Sequence, residues 1–487
     1  MPTNIVKASD RATGNRATAD RAGGTAPAAS AVAGRTRRGW LEAALVYRQP
    51  RMLSMLFLGF SSGLPFYLIF QTLSAWLRQD EIVRATIGML SWAGLFYPLK
   101  FAWSPVVDRL RLPLLHRWLG RRRSWMLLAQ LGIAAALLAL AMSDPRASLL
   151  HVVIGAACLA FFAATQDISI DAWRIESAPD DMQGAMAAAY QLGYRAALTV
   201  GSAGALGLAQ GFGWRASYTI MAVLVAVGIA TTLLTREPQP SAARTSVLSE
   251  ARAIDWLARR AHWPAPLRHA GATFVGAVVC PLLDFFDRRA LTSAVLVLAL
   301  VASYRLTTYA MGSMTNSFYI DHGYSLDQIA TVVKVFGLSV SLAGVVIAGA
   351  LIARLGIRTG LVFGCVTILL SNLAFALLAT THGPTLIGLA AANSIDNFGQ
   401  ALQGTALIAF LSSLTSAKYT ATQYALFSSF FELTGKLLEG TSGYVVDAIG
   451  YSSFFVYTAS LSIVPLALLF WLSRRREFGH GGALSAA

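Results

Sequence analysis

Twelve mostly apolar stretches run along the chain, at 53–77, 85–104, 124–143, 148–176, 182–211, 215–235, 292–320, 325–352, 359–380, 385–414, 420–446 and 452–473. Each approaches or exceeds the ~20 residues that a helix needs to cross the hydrocarbon of a bilayer. The pattern predicts an all-α membrane protein with twelve transmembrane helices. The sixth connection, at 236–291, is much the longest and divides the helices six and six. It opens on Glu237-Pro238-Gln239-Pro240, which ends a helix. Within it Leu248, Ala251, Ile254, Leu257 and Ala261 recur at three-to-four spacing among Arg and Glu. That spacing predicts an amphipathic helix on the membrane surface. A second apolar run, Phe274 to Phe286, is too short to span and is interrupted by Pro281 and Asp284, so it is expected at the interface. The predicted organisation is a tail at 1–45, a six-helix bundle at 46–240, a linker at 241–291, a second six-helix bundle at 292–475 and a tail at 476–487.

Composition agrees with this. The chain is 55% hydrophobic and only 13% charged, where soluble domains are nearer one quarter charged. The net charge of +15 is therefore no sign of a nucleic-acid partner. Its basic residues gather in the even-numbered connections, as at Arg121-Arg122-Arg123 and Arg354 to Arg358, and at the end, Arg474-Arg475-Arg476. The odd connections are short and poorer in positive charge. The positive-inside bias places both termini in the cytoplasm. The first 45 residues, rich in Ala, Gly, Thr and Arg, lack the apolar core of a signal peptide and are expected to be a disordered basic tail. Cys158, Cys280 and Cys365 stand alone in apolar sequence and are expected to pack as small hydrophobes. The seven His are scattered, and no metal or cofactor motif is present. These absences weigh against a membrane-embedded enzyme.

Eight charges fall deep inside the spans: Asp167 and Asp171 in the fourth, Arg195 in the fifth, Arg305 in the seventh, Lys334 in the eighth, Asp396 in the tenth, and Glu432 and Lys436 in the eleventh. An ionised side chain at mid-membrane costs about 2.5–3.5 kcal/mol, so eight unpaired ones would cost roughly 20–28 kcal/mol. They are expected to face water or one another, and with four acids and four bases they can balance. Polar rows extend the pattern. Asn393, Asp396, Asn397, Gln400 and Gln403 share one side of the tenth span, and Arg305, Thr308 and Asn316 one side of the seventh. Such rows suit a ligand rich in hydroxyls and amides, or equally hydrogen bonds between helices.

The halves echo each other. Ser104-Pro-Val-Val-Asp108-Arg109 with Gly120-Arg121-Arg122-Arg123 follows the second span, and Gly349-Ala-Leu-Ile-Ala353-Arg354-Leu-Gly356-Ile-Arg358 follows the eighth. Both resemble the loop signature of the major facilitator superfamily, Gly-x-x-x-Asp-Arg-x-Gly-Arg-Arg. Two copies at corresponding places in two six-helix halves point to a repeat transporter. In that fold spans 3, 6, 9 and 12 sit outside and the other eight line a central cavity, which matches the placement of the eight charges.

Further motifs sharpen the resemblance: Gly59-Phe-Ser-Ser-Gly63-Leu-Pro65, Lys100-Phe-Ala-Trp103-Ser104-Pro105, Gln166-Asp167-Ile-Ser-Ile-Asp171-Ala-Trp173, Gly193-Tyr194-Arg195 and Ala421-Thr-Gln423-Tyr424-Ala-Leu426. Across about 48–475 the chain resembles the AmpG-type anhydromuropeptide permeases of Gram-negative inner membranes. The resemblance implies proton-coupled import of N-acetylglucosaminyl-1,6-anhydro-N-acetylmuramyl peptides from periplasm to cytoplasm, feeding cell-wall recycling and, in some bacteria, β-lactamase induction. It implies no cofactor beyond the proton gradient, and a functional monomer in the bilayer. A related branch resembles acetyl-CoA transporters, which leaves acetyl-CoA or another sugar-containing anion as the alternative cargo.

The residues carry the following expectations. Asp167 is a proton carrier or a permanent partner of Arg195, and Asp171, one turn away, assists coupling or bonds Arg174. Arg195, Arg305, Lys334 and Lys436 are candidates for substrate carboxylates, although Lys436 can instead neutralise Glu432. Gln166, Tyr194, Asn393, Asp396, Asn397, Gln400, Gln403 and Glu432 complete the candidate binding set. Asp108, Arg109 and Arg174, at the inner face, are candidates for a gate that pairs the two half-bundles.

Overall fold

The computed structural model describes residues 49–82, 94–179, 182–239, 251–325 and 328–474, and all regular structure among them is helical. The predicted terminal tails, Leu248 and the first half of the second predicted span lie outside the described residues.

The first helix, α1, covers Pro50–Gln79. Pro65 lies inside it and contributes no N–H, and a π-helical turn at Leu68–Thr72 follows. The second, α2, is broken: Phe96–Leu99, a 3₁₀ turn at Lys100–Ala102, then Ser104–Arg109. Pro98 and Pro105 flank that turn, which explains the break at the end of the predicted span. Helices α3 (Arg121–Ala141) and α4 (Leu149–Ser177) are uninterrupted.

From Gln183 to Leu234 the chain is helical for 52 residues, about 78 Å at 1.5 Å per residue and too long for one crossing. It turns at Gly213, whose φ of 81° only glycine adopts readily. This separates α5, which begins at Gln183–Thr199, from α6, the part of Ala205–Leu234 after Gly213.

The second half repeats the plan. Helix α7 is Leu291–Ser303 and Leu306–Asp321 with a break between them, and α8 is Ile329–Phe336 continuing as Gly337–Leu355. Then come α9 (Ile357–Leu378), α10 (Leu386–Leu414) and α11, which begins at Thr420–Glu439. Gly450, at φ 73°, turns α11 into α12, which ends with Ile463–Arg474. Gly213 and Gly450 thus occupy equivalent corners of the two halves. Eight segments are long and apolar enough to cross a membrane on length and composition. Helices α10 and α11 are not among them: α10 carries the polar row from Asn393 to Gln403, and α11 carries Glu432 and Lys436.

Close helix contact is achieved with small residues, the usual device in a membrane. A Cβ added at Gly193 of α5 would lie 1.8 Å from the Leu56 carbonyl oxygen of α1, and one at Gly59 2.2 Å from that of Tyr190. Because the obstacle is backbone, Gly193→Ala must push two helices apart. Overpacking of this kind costs about 1–3 kcal/mol. The variant is expected to melt at lower temperature in detergent, and unchanged melting would contradict the α1–α5 contact.

The linker packs beside the C-terminal half. Helix Ala251–Arg259 buries Ala253 and leaves Ile254 52% exposed. The packed side therefore includes Ala253, with Trp256 and Leu257 half-buried, so of the expected stripe Leu257 is partly covered while Ala251 and Ile254 are exposed. The apolar run after it is helical through Cys280–Asp287 and docks on the start of α11. There the Phe285 and Phe427 rings meet at 5.1 Å, and Gln423 Nε2 donates to Asp284 Oδ2 at 2.9 Å. Glu237, just past α6, accepts the N–H groups of Arg122 and Arg123 at 2.8 and 3.1 Å and so caps α3, while burial pushes its carboxyl above the usual range.

Candidate functional site

Between the halves lies a chamber of about 620 Å³. The N-terminal half lines it with Tyr97 and Lys100 of α2, Asp167 and Asp171 of α4, and Tyr190, Tyr194 and Arg195 of α5. The C-terminal half contributes Arg305 and Tyr309 of α7, Asn397 and Gln400 of α10, and Glu432, Lys436 and Glu439 of α11. Charges that would be costly against lipid therefore share one polar space.

Local chain breaks aim several of them. The interruption of α7 places Arg305 at the start of its second segment. The freed Tyr304 carbonyl accepts from Gln403 Nε2 at 2.8 Å, and Thr308 Oγ1 donates to Gln403 Oε1 at 2.6 Å. Gln403 is thus fully engaged in repairing the break and does not line the chamber. Arg305 itself has a buried Nε with no partner, and its guanidinium stands 5.5 Å from the Tyr309 ring. Arg195 donates to Ser341 Oγ of α8 and also leaves its Nε unpartnered. Two guanidiniums, one from each half, face the chamber without a carboxylate partner among the described residues.

Asp167 makes no ion pair with Arg195. It accepts a short hydrogen bond from Ser62 Oγ of α1, and that hydroxyl lies 2.7 Å from Tyr190 OH. Asp171 pairs with Arg174 at 3.2 Å. No ion pair joins Glu432 to Lys436 among the described residues, and both face the chamber.

The other candidates of the tenth-span row are not all brought together. Asn397 and Gln400 reach the chamber. Asp396 lies behind them, accepting from Gln400 Nε2 at 2.6 Å and from Ser371 Oγ of α9 at 3.3 Å. Asn393 donates to the Val332 carbonyl of α8 at 3.3 Å. Gln166 exchanges two hydrogen bonds with Ser61 of α1, at 2.9 and 3.0 Å, and is fully buried. The Lys334 side chain is outside the described residues.

The two halves join below the chamber, at the end of the bundle where α1 begins beside the end of α4. Arg174 Nη1 donates to Ser412 Oγ of α10 at 2.6 Å, and its guanidinium stands 5.1 Å from the Tyr424 ring of α11. Asp108 does not meet Arg174: it pairs with Arg122 at 2.7 Å and accepts from Thr422 Oγ1 of α11 at 3.1 Å. Arg109 stands 5.4 Å from the Tyr419 ring. Each of the three therefore reaches the opposite half by its own contact. Val107, Ile168 and Ala172 pack against Ala421 and Ala425 beside them. Arg174→Ala removes two of these links. Spin labels at Ser177 and Thr415 are expected to report longer distances in that variant; an unchanged distribution would show that Arg174 does not hold this junction.

Lys100 and Glu439 escaped sequence reasoning. Lys100 is a single cation in an otherwise apolar span, the same signal as Arg195, but it adjoins the Trp103-Ser104-Pro105 motif and reads as part of the loop. Glu439 closes an amphipathic end of α11 where a surface position is equally natural.

Residues 55–437 match the family model of the Major Facilitator Superfamily. The anhydromuropeptide permease of Escherichia coli K12 is 33% identical over 437 residues, covering 89% of this chain and 82% of that protein. The putative transporter AmpG 4 of Rickettsia felis is 31% identical over 432 residues, covering 88% and 98%. Among solved structures, the proton:xylose symporter XylE bound to 6-bromo-6-deoxy-D-glucose superposes with a TM-score of 0.58 at 11% identity, covering 89% of this chain and 95% of that one, which shows the fold alone. The chain is a multi-pass membrane transporter, not an enzyme, and belongs to the AmpG-type permeases of the major facilitator superfamily.

Proposed function

We propose that the protein imports N-acetylglucosaminyl-1,6-anhydro-N-acetylmuramyl peptides across the bacterial inner membrane, with both termini in the cytoplasm, driven by the proton gradient. One observation carries this reading: two carboxylate-free guanidiniums, Arg195 and Arg305, face a single chamber with a hydroxyl-bound acid, Asp167. The peptide stem of a muropeptide supplies carboxylates, which guanidinium binds through paired donors. Aromatic rings stand close by, with Phe66 and Tyr97 centroids 5.5 Å apart and Tyr190 and Tyr194 5.8 Å apart, a surface for sugar rings. Asp167 takes a proton on the periplasmic side and releases it inside. The basic loops support the orientation, which puts the contacts joining the halves at the Arg174 end on the cytoplasmic side. A chamber built wholly from the two halves of one chain supports function as a monomer.

Uptake of radiolabelled muropeptide into proteoliposomes tests the reading. Saturable accumulation that collapses when the proton gradient is dissipated, and that unlabelled muropeptide inhibits better than acetyl-CoA or the free disaccharide, is expected. Preferential inhibition by acetyl-CoA would overturn the cargo assignment.

A further inference from the structure

Lys100 sits on the 3₁₀ turn where α2 breaks, 4% exposed, in the wall of the chamber. That turn packs against α4 of its own half and α11 of the other. Three carboxylates line the same chamber: Glu432 of α11 and Asp167 and Asp171 of α4. No ion pair among the described residues fixes Lys100 to either Asp167 or Glu432, whose helices both pack against its turn. Asp171 already has its own partner in Arg174. Such a carboxylate-rich setting makes Lys100 an internal counter-ion rather than a seat for a substrate anion.

The remaining groups facing this cluster set what happens when cargo arrives. Tyr97, Tyr190, Tyr194 and Tyr424 line the same chamber. Arg305 of α7 and Lys436 of α11 also act on Glu432. A cargo carboxylate bound at Arg305 neutralises one of the cations that serve Glu432. Glu432 then draws more heavily on Lys100, and Asp167 loses a counter-charge.

We propose that Lys100 is the positioning residue that links cargo to proton: with cargo on Arg305, its ammonium, shared between Asp167 and Glu432, shifts toward Glu432, and Asp167 takes up one proton from water. The balance is one proton gained by one carboxylate, with no other bond made or broken. By linkage the effect is reciprocal, so protonation of Asp167 favours cargo binding. This rests on the proton-coupled reading above.

The test measures binding of the labelled tetrapeptide muropeptide to purified protein across pH, for wild type, Lys100→Met and Glu432→Gln. For one linked proton the wild-type affinity is expected to fall toward tenfold per pH unit on the alkaline side. Lys100→Met is expected to keep its acid-side affinity and lose the slope. Glu432→Gln, which removes the group that competes for Lys100, is expected to lose the slope too and stands in if the first variant does not fold. A purely structural Lys100 would lower affinity equally at every pH. Variants that keep the wild-type slope would overturn the proposal alone. A flat wild-type profile would overturn the proton-coupled reading and this proposal with it.

Discussion

Asp167→Asn is expected to abolish concentrative uptake while sparing exchange of labelled for unlabelled muropeptide across the same membrane. Asn keeps an oxygen that accepts the Ser62 hydrogen bond and nearly the same shape, but it cannot titrate. It behaves as an Asp167 that never releases its proton. One proton entering down a pH difference of one unit is worth about 1.4 kcal/mol, so a coupled proton sustains roughly tenfold accumulation per pH unit. In the variant the ratio is expected to fall to about one. Gradient-driven accumulation at the wild-type level would remove Asp167 from the coupling path. Loss of both accumulation and exchange would instead mark it as a folding or binding residue.

Arg305→Gln is expected to weaken peptide-bearing cargo far more than the free disaccharide. A hydrogen bond to a charged group contributes about 1.5–3 kcal/mol, which corresponds to roughly 10- to 150-fold in affinity. The native guanidinium makes no ion pair among the described residues, so the variant breaks no protein salt bridge, and the comparison of the two ligands isolates the part of the loss that belongs to cargo. Arg305→Lys is expected to recover only part, because an ammonium does not reproduce the paired donors. Competition binding with muropeptide and disaccharide reads both. Equal losses for the two ligands would show that Arg305 shapes the chamber without gripping the stem.

Much of this architecture is written in hydropathy. Apolar runs of membrane length separated by turns specify the spans, and Gly213 and Gly450 fall where the pattern leaves a corner. Intramembrane charge is also legible, because its cost leaves it nowhere to face but a polar interior; Asp167, Arg195, Arg305, Glu432 and Lys436 all line the chamber for that reason. What periodicity does not resolve is depth-dependent surroundings. Along α10 the same stripe meets α8 at Asn393, α9 at Asp396, the chamber at Gln400 and the broken α7 at Gln403. Helical spacing puts these side chains on one side but not against one neighbour. The partner of Asp167 was equally hidden: Ser62 is one hydroxyl in an apolar run, and only the glycine-mediated approach of α1 to α5 seats it beside Tyr190.

The account stands on one water-filled chamber shared by both halves and open to cargo. Thr308→Cys, in a protein whose Cys158, Cys280 and Cys365 are replaced, tests it most directly by its reaction with a membrane-impermeant thiol reagent. The thiol is expected to react from the side opposite the termini, and saturating muropeptide is expected to slow that reaction. A thiol that is inert from both sides, or that reacts at the same rate with cargo present, would contradict the account.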